Sequence, residues 1–250
     1  MFEAFFYKSI QEHRYLNIFI LTLITTLLLA ILNYFIGGNA MFLVAFISLA
    51  LSFPIIRYFR KLNNEEIKRI YSSNKLLHNH IEEIIICWVI FIAVGIGFFI
   101  ALITGLITEF TYHEAFVSKL IGMVTQFQEL FAVILINNLV VGFLTFLLSF
   151  LVFSGFIFVL IWNASLVAYY LYSLQDSQTA LITSILILPH GLLEIGGYVL
   201  AGIAGGLLAY KFEIWKSLCQ KEQQEFRKDF TILIIGAILL ILIGAVVESF

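Results

Sequence analysis

The residues best suited to chemistry are a few polar side chains set in long apolar stretches. Asn137 and Asn138 are adjacent in one stretch, Asn163 stands alone in the next, and the segment LPHGLLE at 188–194 opens a third. A carboxyl, an imidazole and amides can bind a cation or exchange a proton where water is scarce. Because a buried polar group costs free energy unless it has a partner, each is a candidate site residue.

The spacing around Pro189 predicts a polar helix start. His190 and Glu194 are four residues apart and therefore share a helix face. A proline removes a backbone donor, so we predict that Pro189 breaks the helix and leaves the N–H groups of 190–193 without intrahelical acceptors. The apolar stretch 180–210 would measure about 46 Å as one helix, too long for an untilted crossing, which supports the break.

Depth along the helices predicts that these residues meet in one pocket. Asn137 is about 9 Å below the outer start of its span and Glu194 about 8 Å, at 1.5 Å per residue. Asn163 falls nearer the midplane, where it would form the floor. The predicted pocket opens toward the outer face, and its residues are Asn137, Asn138, Asn163, His190, Gly191 and Glu194.

A structural role stays open beside the functional one. Asparagines in helix bundles commonly serve as interhelical hydrogen bonds worth about 1 kcal/mol or less. His190 can be nothing more than the partner of Glu194. For Glu194 itself we favour function, since a carboxyl inside a membrane is costly.

Seven apolar stretches must position these residues. Of the 250 residues, 62% are hydrophobic and only 12% are charged, which is typical of a membrane protein. A hydrocarbon core about 30 Å thick needs about 20 helical residues. We predict an all-α transmembrane helical bundle in a single domain, 1–250, with a proline-broken sixth helix. The predicted spans are Tyr15–Ile36, Ala40–Ile56, Ile84–Ile107, Phe131–Val152, Phe156–Tyr172, Pro189–Tyr210 and Phe230–Val247.

The cationic residues predict the orientation. With seven spans and a cytoplasmic amino terminus, 13 of the 14 Lys and Arg residues lie inside and only Lys119 lies outside. The second span, 40–56, is short enough to be a re-entrant arm instead, but a crossing gives this steep asymmetry. We therefore predict a multi-pass cell membrane protein whose carboxyl terminus is outside.

Three segments lie outside the predicted core. Residues 57–80 form a cytoplasmic linker, residues 109–128 an outer amphipathic helix, and residues 211–229 a cytoplasmic helical extension. The linker ends in two histidines and two glutamates, which we interpret as an interface cap rather than a metal site. These residues are His78, His80, Glu82 and Glu83. We predict no metal and no cofactor.

Other patterns limit the function. Gly197, Ala201 and Gly205 form a small-residue face that favours close helix packing and permits a homodimer. A net charge of -2 argues against nucleic acid as a partner. The sequence lacks Gly-x-Ser-x-Gly, His-Glu-x-x-His and P-loop motifs, so we expect no catalytic residues and no enzyme activity.

The polar residues also carry a family resemblance. The pair Asn137-Asn138, then Asn163, then Leu-Pro-His-Gly at 188–191 with Glu194 and a Gly/Ala-rich helix, resembles the stage II sporulation protein M family over about residues 137–210. That family usually has Asn-Gly at the middle position, whereas Ala164 follows Asn163 here. The first 130 residues carry no such resemblance. The resemblance implies a membrane scaffold that assembles other membrane or envelope proteins and contributes no chemistry itself.

Three functional hypotheses follow in order. The first is a non-enzymatic integral membrane scaffold, embedded in the lipid bilayer and bound to protein partners. The second is a transporter or permease component that moves a proton, ion or small solute through the pocket around Glu194. The third is an intramembrane hydrolase with Glu194 as general base, which lacks a nucleophile or a full metal set.

Overall fold

The computed structural model describes residues 14–70, 76–107, 127–152, 155–173, 180–214 and 219–249. These residues are almost all helical, and none of them is in a strand. The helices are α1 Arg14–Phe35, α2 Ala40–Ile70, α3 Leu76–Ile103, α4 Phe127–Val152, α5 Gly155–Ser173, α6 Ala180–Ile214 and α7 Gln220–Glu248. The all-α fold is therefore confirmed.

Each of the seven helices contains a segment long and apolar enough to cross a membrane. The segment in α4 is Phe131–Val152, which equals the predicted span, and the one in α1 is Tyr15–Phe35. In α2 the apolar segment Ala40–Lys61 has 22 residues and runs through Pro54 as continuous helix. The second span is thus longer than the sequence indicated, and its length suits a full crossing.

The helices pack as two groups joined by α5. Helix α6 packs most extensively against α7 and α4, while α3 packs mainly against α1 and α5. Helix α5 touches members of both groups, and α3 makes little contact with α6 or α7. The buried apolar core follows this arrangement, with Phe98 of α3 and Phe156 of α5 among its largest fully buried side chains.

A tight turn joins α1 to α2. Gly37 has φ +65°, a conformation that side chains with a Cβ rarely adopt. The buried Asn33 amide donates to the carbonyl of Gly38 at 2.8 Å, and Asn39 caps α2 by accepting from the Phe42 N–H at 3.1 Å. These hydrogen bonds therefore fix the end of α1 and the start of α2 within a short turn.

Helix α6 does not break at Pro189, so that prediction was wrong. The helix runs continuously from Ala180 to Ile214 with the proline inside it. One proline removes only its own N–H, whose acceptor would be the carbonyl of Ile185, and membrane bundles tolerate this loss. The N–H groups of 190–193 consequently lie within a helix, although the apolar segment suited to crossing still starts at the proline, Pro189–Phe212.

The segments outside the predicted core are partly helical. Helix α2 continues to Ile70 and α3 starts at Leu76, so most of the linker 57–80 extends the two spans. Within 211–229, α6 ends at Ile214 and α7 starts at Gln220, and Lys228 pairs with Glu225 at 2.9 Å. The predicted outer helix at 109–128 lies outside the described residues except for the first two residues of α4.

Candidate functional site: a carboxyl and amide cluster between three helices

Polar side chains from α4, α6 and α7 meet inside the bundle. The Asn138 amide nitrogen donates to Oε1 of Glu194, and the Tyr198 hydroxyl donates to Oδ1 of Asn138 at 2.9 Å. The Glu248 carboxyl lies next to the Glu194 carboxyl. Asn138 and Tyr198 are each only 6% exposed. We refer to Asn138, Glu194, Tyr198 and Glu248 as the carboxyl cluster.

Helical spacing and a close approach position the cluster. Glu194 and Tyr198 are four residues apart, so both project from one face of α6 toward α4. On the other side, α7 approaches at Gly244, where an added Cβ would lie 2.7 Å from Cγ of Glu194 and 3.3 Å from the His190 carbonyl oxygen. Glu248 lies one turn beyond Gly244, which brings its carboxyl to Glu194.

The two carboxyls define what the cluster can do chemically. Two neighbouring carboxyl groups can share a proton, because a protonated carboxyl donates a hydrogen bond and an ionised one accepts it. Since Glu248 ends α7 and Glu194 lies five residues after Pro189, the cluster is near one end of the bundle.

The predicted pocket residues do not all meet. Asn163 donates to the Val159 carbonyl of its own helix at 2.8 Å, so its amide is bonded within α5. Among the described residues no ion pair joins the half-buried His190 to Glu194. The partners of Glu194 lie on α4 and α7 instead. At Gly191 an added Cβ would meet nothing within 4 Å, so this glycine faces open space.

Asn137 lies at the edge of the cluster and faces outward. Its amide nitrogen donates to Oδ1 of Asn138 at 3.3 Å, yet the residue is exposed. It belongs to an exposed stripe on α4 whose apolar members are Val133, Ile136 and Val140. An amide can form up to four hydrogen bonds, so one intrachain bond leaves capacity at the outer surface of the bundle.

The small residues of α6 are used inside the chain. Gly197 packs against α7, where an added Cβ would lie 3.0 Å from the Ala237 carbonyl oxygen. Gly205 packs against α4 so closely that a Cβ would collide with the Phe146 carbonyl oxygen, and Ala201 is 4% exposed. Because this face is covered by α4 and α7, a homodimer would need another surface.

The opposite end of the bundle has its own buried polar groups. His80 Nδ1 lies 2.8 Å from Oε2 of Glu83, and both residues are buried, while the Tyr58 hydroxyl donates to Glu82. Within the described part of the chain, no group of three or more His, Cys, Asp or Glu side chains is placed to hold a metal. The side chain of His78 lies outside the described set.

Sequence reasoning missed two members of the cluster. Tyr198 was detectable, because it follows Glu194 by four residues and a tyrosine hydroxyl inside a span needs a partner. Glu248 gave a weaker signal, since it ends the last helix and its approach to Glu194 depends on the packing of α7 on α6.

Comparison with known proteins agrees with the family resemblance and extends it. An uncharacterized protein of Methanocaldococcus jannaschii is 37% identical over 140 residues, which cover 51% of this chain and 73% of the relative. No solved structure matches. The pattern of the family described as Stage II sporulation protein M matches residues 84–250, so the similarity begins at α3, well before the expected residue 137. The chain therefore belongs to the stage II sporulation protein M family of membrane proteins.

Proposed function

We propose that this protein is a non-enzymatic membrane scaffold whose helix α4 docks a transmembrane helix of a partner protein. The observation that carries the proposal is the exposed amide of Asn137 within the apolar segment Phe131–Val152. An amide that faces hydrocarbon costs free energy until another polar group bonds it. A helix with a hydrogen-bonding side chain would meet that need.

The surroundings of Asn137 fit a helix partner. Val133, Ile136 and Val140 are 49%, 62% and 51% exposed and recur at helical spacing beside the amide. Transmembrane helices associate through side-chain packing together with interhelical hydrogen bonds. The stripe supplies both kinds of contact on one face of α4.

The packing of the bundle supports the scaffold proposal because it fixes the position of α4. The carboxyl cluster ties α4 to α6 and α7, and Gly205 lets the backbones of α4 and α6 approach closely. A docking helix held this way presents its stripe in one orientation, so a partner loses little freedom by binding it. The family membership agrees with this role.

Photocrosslinking from the stripe tests the proposal. A photoreactive amino acid replaces Val140 in the full chain, and crosslinked products from native membranes are identified by mass spectrometry. We expect a transmembrane protein as the product, with the yield reduced at least fivefold by Asn137→Leu. The matched control is Asn163→Leu, which removes an amide bonded within its own helix and should leave the yield unchanged.

Two outcomes would contradict the proposal. Equal crosslinking in the Asn137→Leu protein would show that the amide has no part in docking. Crosslinks only between two copies of this chain would assign the stripe to self-association rather than to a different partner.

A transport role is the second candidate, and the paired carboxyls favour it. Glu194 and Glu248 lie side by side near one end of the bundle, and a carboxyl that gains and loses a proton can couple to solute movement. Purified protein in liposomes would then show proton flux that Glu194→Gln abolishes. Absence of flux in the unsubstituted protein would exclude this role and leave the scaffold proposal unaffected.

A further inference from the structure

A second feature lies in the space that separates α3 from α6 and α7. There the structure has a groove of about 460 Å³. Its wall includes Trp88 of α3, Leu200 of α6 and Leu240 of α7. We refer to this space as the α3/α6/α7 groove.

The groove is apolar along its length and polar at one end. Its ionisable lining residues are His80 and Asp229, each buried. His80 begins the apolar segment of α3, and Asp229 lies in the first part of that of α7. These two residues therefore mark the membrane boundary, and the apolar part of the groove extends from them toward the bilayer centre.

The groove runs along much of the bilayer thickness. Along α7 its lining residues extend from Asp229 to Leu240, about 16 Å at 1.5 Å per residue. On α6 the lining reaches Leu192, three residues after the start of the apolar segment at Pro189. An extended acyl chain that enters at the His80 end can therefore lie along the groove.

The groove has the size of a site for a small molecule. Its volume falls within the range of sites for small molecules, about 300 to 1,000 Å³.

The groove also opens sideways. Leu192 and Ile232 are lining residues, and they are 46% and 40% exposed on the outside of the bundle. Both lie in membrane-crossing segments, where the surroundings are lipid chains. A lipid can therefore enter without passing through water.

We propose that the α3/α6/α7 groove binds one acyl chain of a membrane phospholipid. The chain lies against Trp88 and Leu200, and the headgroup sits at the level of His80 and Asp229. This site is separate from the docking stripe on α4 and does not depend on the scaffold proposal.

Trp88 supplies an internal probe, because bromine on an acyl chain quenches a tryptophan that the chain touches. The sequence has three tryptophans, so Trp162→Phe combined with Trp215→Phe leaves Trp88 as the only one. The purified single-tryptophan protein in detergent is titrated with phosphatidylcholine brominated on its acyl chains. We expect at least half of the fluorescence to be quenched, with saturation near one lipid per chain.

A variant that fills the groove provides the comparison. At Gly236 the nearest atom to an added Cβ is the end of the flexible Leu200 side chain, at 3.1 Å, so Gly236→Leu fills the groove from α7. We expect Gly236→Leu to lower the affinity for the brominated lipid at least tenfold. The matched control is Ile235→Phe, which adds bulk at a neighbouring exposed position outside the groove and should leave quenching unchanged.

Native mass spectrometry after extraction in mild detergent gives an independent readout. We expect one phospholipid per chain in the unsubstituted protein and its loss in the groove-filling variant. If Gly236→Leu fails to fold, Leu240→Phe takes its place. The larger side chain at this lining position also narrows the groove. Quenching that rises in proportion to lipid without saturation, together with no retained lipid, would overturn the proposal and indicate contact with bulk lipid only.

Discussion

At the scale of single residues, hydrogen-bond partners decide what Glu194 can do. Its carboxyl meets Asn138 of α4 and Glu248 of α7, and Asn138 is bonded in turn by Tyr198. Each group satisfies another, so the cluster is stable inside the bundle and links three helices. Removal of one member leaves the others without partners, which costs more than the bond itself contributes.

The first prediction concerns Glu194. Glu194→Leu leaves the Asn138 amide and the Glu248 carboxyl without their partner, and we expect a loss of about 1–3 kcal/mol in the free energy of unfolding. Glu194→Gln keeps an oxygen for Asn138 and a donor for Glu248, so its loss should be below about 1 kcal/mol. Unfolding in a detergent titration, followed by circular dichroism, measures both. Equal losses in the two variants would show that the hydrogen bonds contribute little.

At the scale of elements, α6 organises the half of the molecule that holds the cluster. It packs against α4 on one side and α7 on the other, and glycines stand at both contacts. Gly205 faces the α4 backbone, whereas Gly191 of the same helix faces open space. Two glycines of one helix therefore have opposite roles, which spacing alone does not reveal.

The second prediction compares these glycines. Gly205→Ala places a methyl group against the Phe146 carbonyl, and α4 must move, which we expect to cost about 1–3 kcal/mol. Gly191→Ala meets no atom and should stabilise the helix by up to about 1 kcal/mol. The two thermal midpoints should thus shift in opposite directions. A fall of similar size in both would contradict the packing described for α6.

At the scale of the whole molecule, the two ends of the bundle differ. The carboxyl cluster and the α1–α2 turn lie at one end, while His80, Glu83 and the long polar extension of α2 lie at the other. The cationic residues favour the second end as the cytoplasmic one. On this orientation the cluster faces the outside.

The third prediction tests this orientation with a membrane-impermeant thiol reagent. Cys219 is exposed and Cys87 is buried, so Cys219 is the reactive native thiol of the two. In intact cells we expect the reagent to leave Cys219 unmodified. We expect it to modify the thiol that Thr104→Cys introduces in the exposed turn after α3. Inverted vesicles should give the reverse pattern. Modification of Cys219 in intact cells would place the amino terminus outside.

The apolar stretches of the sequence predicted where the membrane-crossing segments lie. An apolar stretch of about 20 residues has few alternatives to a membrane helix, because backbone groups in hydrocarbon must bond within the chain. The predicted 131–152 span coincides with the one observed in α4. The similar depths of Asn137 and Glu194 indicated that the asparagine pair of α4 lies level with Glu194, and it is Asn138 of that pair that bonds Glu194.

Which side chains face each other depended on how the helices pack. Rotation and separation of packed helices depend on contacts distant in sequence, such as Gly244 of α7 against Glu194 of α6. Those contacts brought in Glu248, left Asn163 bonded to its own helix, turned Asn137 outward and opened the α3/α6/α7 groove. The continuity of α6 through Pro189 was likewise a tertiary outcome, because the packing of a membrane helix can outweigh one lost backbone bond.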